Sequence, residues 1–233
     1  MITVSAEIRW FGRDQPPTGL DAFFDVDQAL VRIEEPRDDG YLTPDPAWHE
    51  VGIKIRDEML EAKGPVDMGR SIHLPSIGSV LARGWSKWSM KPDLGDRKNH
   101  FTAEFLRSGP TAFVRKVRQL RRYVPNWEGQ VPSGASPVSN ADPSSAPIRI
   151  CSVELTHVTL RRDAEEPQVG WTFGFEAIGD YLDDAYAILS TTALAVVEQQ
   201  DRDTLAVLSK SDFRSYPAWL SVGPLLADEE LRP

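Results

Sequence analysis

Polar and apolar residues alternate along several short segments of the chain, with the period of two that is typical of β-strands. In the segment 51–56, Lys54 and Arg56 alternate with isoleucines, and Glu61 and Lys63 are again two residues apart in the segment that follows. A short polar connection between two such segments predicts a β-hairpin. The same pattern predicts strands at 2–11, 29–35, 51–56, 60–63, 83–91, 150–160 and 170–178.

One late segment has a helical pattern instead. Asp180 is a suitable N-cap for a helix over 181–199, and Asp183 and Asp184 would lie in its first turn, where the helix dipole favours negative charge. Most predicted strands precede this helix along the chain. That order predicts an α+β fold in a single domain, residues 1–233, in which an antiparallel β-sheet curls into a tunnel-like barrel with a C-terminal helix.

Three segments follow other patterns. In 111–124, the apolar residues have helical spacing while Lys116 and Arg118 have strand spacing, so both structures stay open. The tetrapeptide Arg-Asp-Asp-Gly at 37–40 predicts a turn, because Asp and Gly tolerate turn conformations. The segment 128–147 is rich in Gly, Pro and Ser, which predicts a flexible internal loop.

The charge of the chain is unevenly distributed. The 233 residues carry a net charge of −9, yet basic residues concentrate between 80 and 125. An acidic body with a basic middle suits a small, phosphate-rich anion better than a long one, so nucleic acid is not an expected partner. The alternative is that these charges simply lie on solvated faces. The pattern leaves the oligomeric state open.

The remaining composition bears on compartment and metal binding. Cys151 is the only cysteine, which excludes disulfide bonds within the chain and indicates a reducing compartment. The segment 1–7 lacks the features of a signal peptide, and no apolar run approaches the roughly 20 residues of a membrane span. We therefore expect a cytoplasmic protein without a membrane partner. The four histidines lack the spacing of zinc ligands, and His157 is predicted to pack against apolar neighbours.

Charged residues at strand spacing are the candidate chemistry of this chain. Their immediate neighbours are mostly apolar, as with Ile53 and Val117. Two architectures give this pattern: a sheet with one solvated face, or a closed sheet whose charged interior needs partners or a ligand. Trp85 and Trp88 lie on opposite faces of one predicted strand, which favours a sheet covered on both sides.

Several motifs occur in the order seen in one known superfamily. They are Ser5-Ala-Glu7-Ile-Arg9, Ile53-Lys54-Ile55-Arg56, Glu61-Ala62-Lys63-Gly64, Lys116-Val117-Arg118, Phe175-Glu176-Ala177-Ile178 and Ser215-Tyr216. With these motifs the chain resembles the CYTH superfamily, or triphosphate tunnel metalloenzymes, and more closely a bacterial group with CYTH-like motif order. The resemblance runs from about residue 2 to 220 and would make 111–124 a strand.

The resemblance implies a phosphohydrolase that acts on a triphosphate or polyphosphate compound with Mg²⁺ or Mn²⁺. The phosphate-binding residues that it implies are Arg9, Lys54, Arg56, Lys63, Lys87, Lys116 and Arg118. The metal ligands that it implies are Glu7, Glu154 and Glu176. It assigns no catalytic residue here. The alternative is a non-catalytic CYTH-like module that binds an anionic ligand or a protein partner.

The chain departs from the superfamily pattern at two carboxylate positions. Ser5 stands where the first motif has a glutamate, and Ala177-Ile178 follow Glu176 where a second carboxylate is expected. A metal-assisted attack on phosphate depends on oxygen ligands that hold the cation. These departures weaken the hydrolase interpretation, so hydrolysis and binding without turnover stay open as near-equal alternatives. A third possibility is a structural module whose charges are solvated.

Overall fold

The computed structural model describes residues 2–42, 50–57, 59–91, 111–128, 131–138, 149–162 and 165–222. Its fold is mostly β. The strands are β1 (Ile2–Arg13), β2 (Val31–Leu42), β3 (Gly52–Arg56), β4 (Met59–Pro65), β5 (Arg70–Leu74), β6 (Gly78–Met90), β7 (Thr111–Glu128), β8 (Val131–Val138), β9 (Ile150–Arg162), β10 (Gln168–Ile178) and β11 (Asp212–Phe213). The helices are α1 (Thr18–Asp25), α2 (Leu182–Val197), α3 (Arg202–Leu208) and α4 (Tyr216–Val222), with a 3₁₀ turn at Gln28–Leu30.

Eight antiparallel strands close into a barrel. Their order is β1-β10-β9-β7-β2-β3-β4-β6, and β6 pairs with β1 to complete the circle. Closure removes the free edges that an open sheet would present. The prediction of an antiparallel sheet that forms a tunnel-like barrel is therefore confirmed. The short strands β5, β8 and β11 add to the outside of this circle through β6, β7 and β1.

The charged face of the strands is the interior of the barrel. Trp85 is only 4% exposed on the same face of β6 as Lys87, whereas Trp88 points the other way and is 40% exposed. On β7, Lys116 is buried and Val117 is half-exposed. Alternation along each strand places successive side chains on opposite faces. Of the two architectures that the sequence allows, the closed one with a charged lining is present.

Apolar residues fill the space between the barrel and the helices outside it. The main core contains Trp10, Phe173 and Phe175 from the outer faces of β1 and β10, and Ile188 and Leu189 from α2. The packing of these rings, with centroids about 5–6 Å apart, fixes α2 across the outer surface. The predicted C-terminal helix therefore forms, with Asp183 and Asp184 in its first turn.

The start of α2 differs from the prediction. The N-cap position is Tyr181, and no side chain caps the helix there. Asp180 lies one residue earlier and accepts hydrogen bonds from Arg149 at 2.6 and 2.9 Å. The prediction of Asp180 as N-cap is therefore wrong, because its carboxylate accepts from Arg149, just before β9, rather than from the helix amides.

The short helix α4 covers one end of the barrel. Trp219 stacks on Phe11 with ring centroids 5.0 Å apart, and Tyr216 contacts Phe11 edge-on at 5.1 Å. Together with Val114 and Val158 from inside the barrel wall, these side chains form a second apolar cluster. One end of the interior is thus filled by apolar packing, and the charged section lies beyond it.

Three local predictions have a different or sharper outcome. The predicted turn at 37–40 is wrong: these residues lie in β2, which contains a bulge between Glu34 and Arg37 and continues to Leu42. Within the predicted loop 128–147, Val131–Val138 instead forms the edge strand β8, while 139–147 lie outside the described residues. The ambiguous segment 111–124 is a strand, part of β7.

The physical reasons are long-range. An edge strand such as β8 pairs on one side only, so its prolines remove few of the hydrogen bonds between strands.

None of the helices among the described residues is long and apolar enough to cross a membrane.

Candidate functional site

The candidate site is built from charged side chains that the eight barrel strands bring together. All seven cations that the sequence singles out lie on the interior face and contact carboxylates or rings there. They are Arg9, Lys54, Arg56, Lys63, Lys87, Lys116 and Arg118. They come from five strands, β1, β3, β4, β6 and β7, so the barrel has to close before they meet.

Asp39 holds two of these cations at the buried end of the site. Its side chain is fully buried, and its Oδ2 accepts hydrogen bonds from Lys116 Nζ at 2.8 Å and Lys54 Nζ at 3.0 Å. Lys116 also donates to the hydroxyl of Tyr41 at 2.6 Å and lies 4.0 Å from the ring centroid of Tyr216. Two ammonium groups therefore share one carboxylate oxygen between two aromatic rings.

This crowding shifts the protonation equilibria of all three groups. Burial alone would raise the pKa of Asp39, but the charges of Lys116 and Lys54 hold it far below its ordinary value. Burial lowers the pKa of Lys116 to about 8 against the charge of Asp39. Burial, with the charge of Lys116, also lowers the pKa of Lys54 to about 8. Both lysines are thus less strongly protonated than exposed lysines.

Glu154 is held by two arginines. Arg9 Nη1 donates to its Oε1 at 2.7 Å, and Arg118 donates to its Oε2. Thr156 donates to Oε1 at 2.6 Å, while Arg9 also donates to the Thr172 hydroxyl at 2.9 Å. Burial opposes ionisation of Glu154, but the charges of Arg9 and Arg118 hold its pKa well below its ordinary value. Glu154 is therefore an anion whose two carboxylate oxygens already accept hydrogen bonds from Arg9, Arg118 and Thr156.

Glu61 is surrounded by three cations on the opposite wall. Lys54 lies 3.1 Å from its Oε2, while Arg56 and Lys87 lie 2.8 and 3.1 Å from its Oε1. Burial would raise the pKa of Glu61, but these cations, led by Lys54, lower it. Arg56 and Lys87 retain partial exposure, at 22% and 36% of their side chains.

Glu34 and Arg37 join the two walls. Arg118 donates to Glu34 Oε2 at 3.0 Å, and Arg37 donates to the same oxygen at 3.1 Å and lies 3.8 Å from Asp39. The result is one continuous chain of ion pairs, which we call the interior network. Its seven cations are Arg9, Arg37, Lys54, Arg56, Lys87, Lys116 and Arg118, and its four carboxylates are Glu34, Asp39, Glu61 and Glu154.

A smaller cluster lies beside the network. Glu7 and Glu176 are directly opposite each other on β1 and β10, and Lys63 donates to Glu7 and lies 3.9 Å from Glu176. Ser5, which stands in place of the expected glutamate, donates to Glu7 at 3.1 Å. Burial raises the pKa of Glu7 to about 7 although Lys63 opposes this, so the carboxyl pair retains one proton up to about neutral pH.

Several members of the site do not follow from the sequence pattern. The turn predicted at 37–40 contains Arg37 and Asp39, and the pattern indicates no interior position for Tyr41 or Tyr216. The alternation of Arg37, Asp39 and Tyr41 is the signal that a strand was present. His157, predicted to be packed, is instead 36% exposed on the outside, 3.9 Å from Asp21.

The predicted metal ligands do not form one coordination shell. Among the described residues, no group of three or more His, Cys, Asp or Glu side chains is arranged to hold a metal ion. The carboxylate oxygens of Glu154 accept hydrogen bonds from Arg9, Arg118 and Thr156, and one oxygen of Glu7 accepts a hydrogen bond from Lys63. A divalent cation would have to displace these donors. The described carboxylates therefore do not fit Mg²⁺ or Mn²⁺ as they stand.

No protein-family model matches the chain, and no curated protein matches it either.

Proposed function

We propose that this protein binds a small, phosphate-rich anion inside its barrel, through the interior network and without a divalent metal. The observation that carries the proposal is the imbalance of that network, in which seven cations share four carboxylates among the residues that the structure describes. The proposal corresponds to the non-catalytic alternative that the resemblance leaves open.

The imbalance supports a ligand because unpaired charge is costly to enclose. A buried cation needs an anionic partner or water, and each carboxylate here is already shared by two or more cations. A phosphate group offers several charged oxygens to Arg and Lys donors at once. Binding of such a group would supply the negative charge that the four carboxylates do not.

The partly exposed members of the network indicate where such an anion would be held. Lys54, Arg56 and Lys87 surround Glu61 and have side chains 17%, 22% and 36% exposed. Arg9 and Lys116 are nearly buried and contact the aromatic rings near α4. An anion would therefore meet Lys54, Arg56 and Lys87 first, while the buried cations maintain a positive potential behind them.

The test is calorimetric titration of the protein with tripolyphosphate in EDTA, repeated with Mg²⁺ in place of EDTA, beside an assay of phosphate release. We expect binding in EDTA and no release. Lys87→Gln should weaken binding by about tenfold, since a charge-assisted hydrogen bond contributes roughly 1.5–3 kcal/mol. The matched control is Arg115→Gln, which removes an exposed cation that pairs with Asp38 on the outer face and should leave affinity unchanged.

Three outcomes would count against the proposal. If tripolyphosphate does not bind, the interior network has a purely structural role. Equal loss in both variants would indicate general attraction to charge. Binding and phosphate release that both require Mg²⁺ would favour the metal-dependent phosphohydrolase that the resemblance implies, with a metal site that forms only when ligand is present.

A further inference from the structure

Glu34 differs from the other three carboxylates of the interior network in its place on the backbone. It lies at the bulge of β2, where the register passes from Glu34 opposite Arg118 to Arg37 opposite Lys116, so that β2 has one residue more than β7. Residues three apart on a regular strand face opposite sides of the sheet, whereas the extra residue brings Glu34 and Arg37 together on the interior face. The carboxylate thus owes its position to a local irregularity of the strand.

The carboxylate of Glu34 is also the most accessible of the four. Its side chain is 20% exposed, compared with at most 7% for the other three. Each of its two arginines has another carboxylate nearby, because Arg118 also donates to Glu154 and Arg37 lies 3.8 Å from Asp39. Departure of Glu34 from the network would therefore leave neither arginine without a neighbouring anion.

Glu34 satisfies these two arginines incompletely. Its Oε2 accepts from both, at 3.0 Å from Arg118 Nη1 and 3.1 Å from Arg37 Nη1. The Nε atoms of both arginines are buried and have no acceptor within the part of the chain that the structure describes, and the 3.8 Å between Arg37 Nε and Asp39 Oδ1 is too long for a hydrogen bond. A buried donor without an acceptor is costly. A phosphate group, with several charged oxygens on one centre, can accept from Nη and Nε of a guanidinium together.

We propose that Glu34 is an internal competitor of the anion, and that a phosphate group of the ligand displaces its carboxylate from Arg37 and Arg118. The inference rests on the proposed function and adds to it the place of one phosphate group and the carboxylate that this group replaces. The phosphate would accept from Nη1 and Nε of both arginines, while the Glu34 side chain turns toward solvent. Both arginines stay paired in the free and the bound state, and the competition lowers the affinity for the ligand.

The test compares two variants that each remove one negative charge from the same bulge. Glu34→Gln removes the competing carboxylate, while Glu35→Gln removes the charge of its exposed neighbour, which is not part of the interior network. In calorimetric titrations with tripolyphosphate in EDTA, Glu34→Gln should bind at least about fivefold more tightly than the wild type, because no charge-assisted hydrogen bond has to be broken first. Glu35→Gln should bind as the wild type does, and adding Arg37→Gln to Glu34→Gln should remove the gain.

A spectroscopic measurement follows the displacement in the wild-type protein. The NMR signals of arginine Nε–H groups respond to hydrogen bonding, and those of Arg37 and Arg118 are assigned by replacing each arginine with lysine. Both signals should shift when tripolyphosphate is added, because each Nε–H gains a phosphate acceptor. The signal of Arg115, which pairs with Asp38 on the outer face, should stay in place.

The outcomes separate this inference from the proposed function. If tripolyphosphate binds the wild type without moving the Arg37 and Arg118 signals, or binds both glutamine variants equally, the inference is overturned while the proposed function stands. If it binds neither the wild type nor Glu34→Gln, both are wrong. Binding to Glu34→Gln alone would support the inference and show that the carboxylate of Glu34 keeps the wild-type network closed to the anion.

Discussion

At the residue scale, Asp39 shows how one side chain organises the interior. It is fully buried and accepts hydrogen bonds from Lys54 on β3, Lys116 on β7 and Tyr41 on its own strand β2. Its neighbour Asp38 points outward, is 62% exposed and pairs with Arg115. Two adjacent aspartates thus have opposite environments, because successive residues of a strand face opposite sides of the sheet.

This contrast gives a matched test of stability. Asp39→Asn keeps the size of the side chain but leaves Lys116 without its carboxylate. Breaking a buried ion pair from one side costs about 3–5 kcal/mol, so we expect the free energy of unfolding to fall by about 3 kcal/mol in a urea titration. Asp38→Asn should change it by no more than about 0.5 kcal/mol. Similar losses in both variants would show that Asp39 is not a central partner of the lysines.

At the element scale, the structure shows which strands local patterns can predict. The hairpin of β3 and β4 was predictable because polar and apolar residues alternate in 53–56 and again in 60–63, with a short polar connection between them. The segment of β7 is ambiguous because its apolar residues have helical spacing while Lys116 and Arg118 have strand spacing, and only the charged interior that receives these two cations decides for the strand. Charged residues are rarely buried, so a local pattern of hydrophobicity does not predict a strand whose charged face lies inside the protein.

Other elements depend on contacts that the sequence does not display. The segment of β8 has the composition of a loop and becomes a strand because β7 extends far enough to pair with it. The extension of β2 through 37–40 is fixed by the lysines around Asp39. The site residues on regular strands were therefore predictable, whereas those in turn-like sequence were not.

The helix α4 provides the test at this scale. Trp219 is 5% exposed and packs against Phe11 and Tyr216, so Trp219→Ala would leave a cavity at the covered end of the barrel. Large-to-small core changes of this kind cost about 3–5 kcal/mol, and we expect a loss of about 3 kcal/mol in urea unfolding. The control is Tyr181→Ala, because Tyr181 is 76% exposed and should contribute little. An unchanged midpoint for the tryptophan variant would mean that α4 is not part of the cooperative unit.

At the scale of the whole molecule, the interior network and the chain as a whole carry opposite charge. The net charge of the chain is −9, while the network has three more cations than carboxylates among the described residues. Under the proposed function, a long polyanion would have to approach the acidic outside, whereas a small one would only need to reach the cations inside the barrel. The charged interior that closure of the sheet creates is thus the feature that supports the proposal of a small anionic ligand.

The pH dependence of binding follows from the same arrangement. The pKa values of Lys54 and Lys116 lie near 8, so both lysines are mostly protonated at pH 7 and mostly neutral at pH 9. Each loss of a proton removes a positive charge from the interior. The affinity for an anion of constant charge should therefore fall as pH rises, by at least about tenfold between pH 7 and pH 9. By linkage, binding at pH 8 should take up protons.

Trimetaphosphate is the suitable probe, because its own charge does not change across this range. Its affinity is measured by calorimetry at pH 7, 8 and 9, and proton uptake is read from titrations in buffers of different ionisation enthalpy. Lys54→Arg keeps its charge at pH 9, so this variant should lose less affinity than the wild type over the same interval. An affinity that stays constant or rises with pH, or a proton release at pH 8, would mean that the two lysines around Asp39 do not face the bound anion.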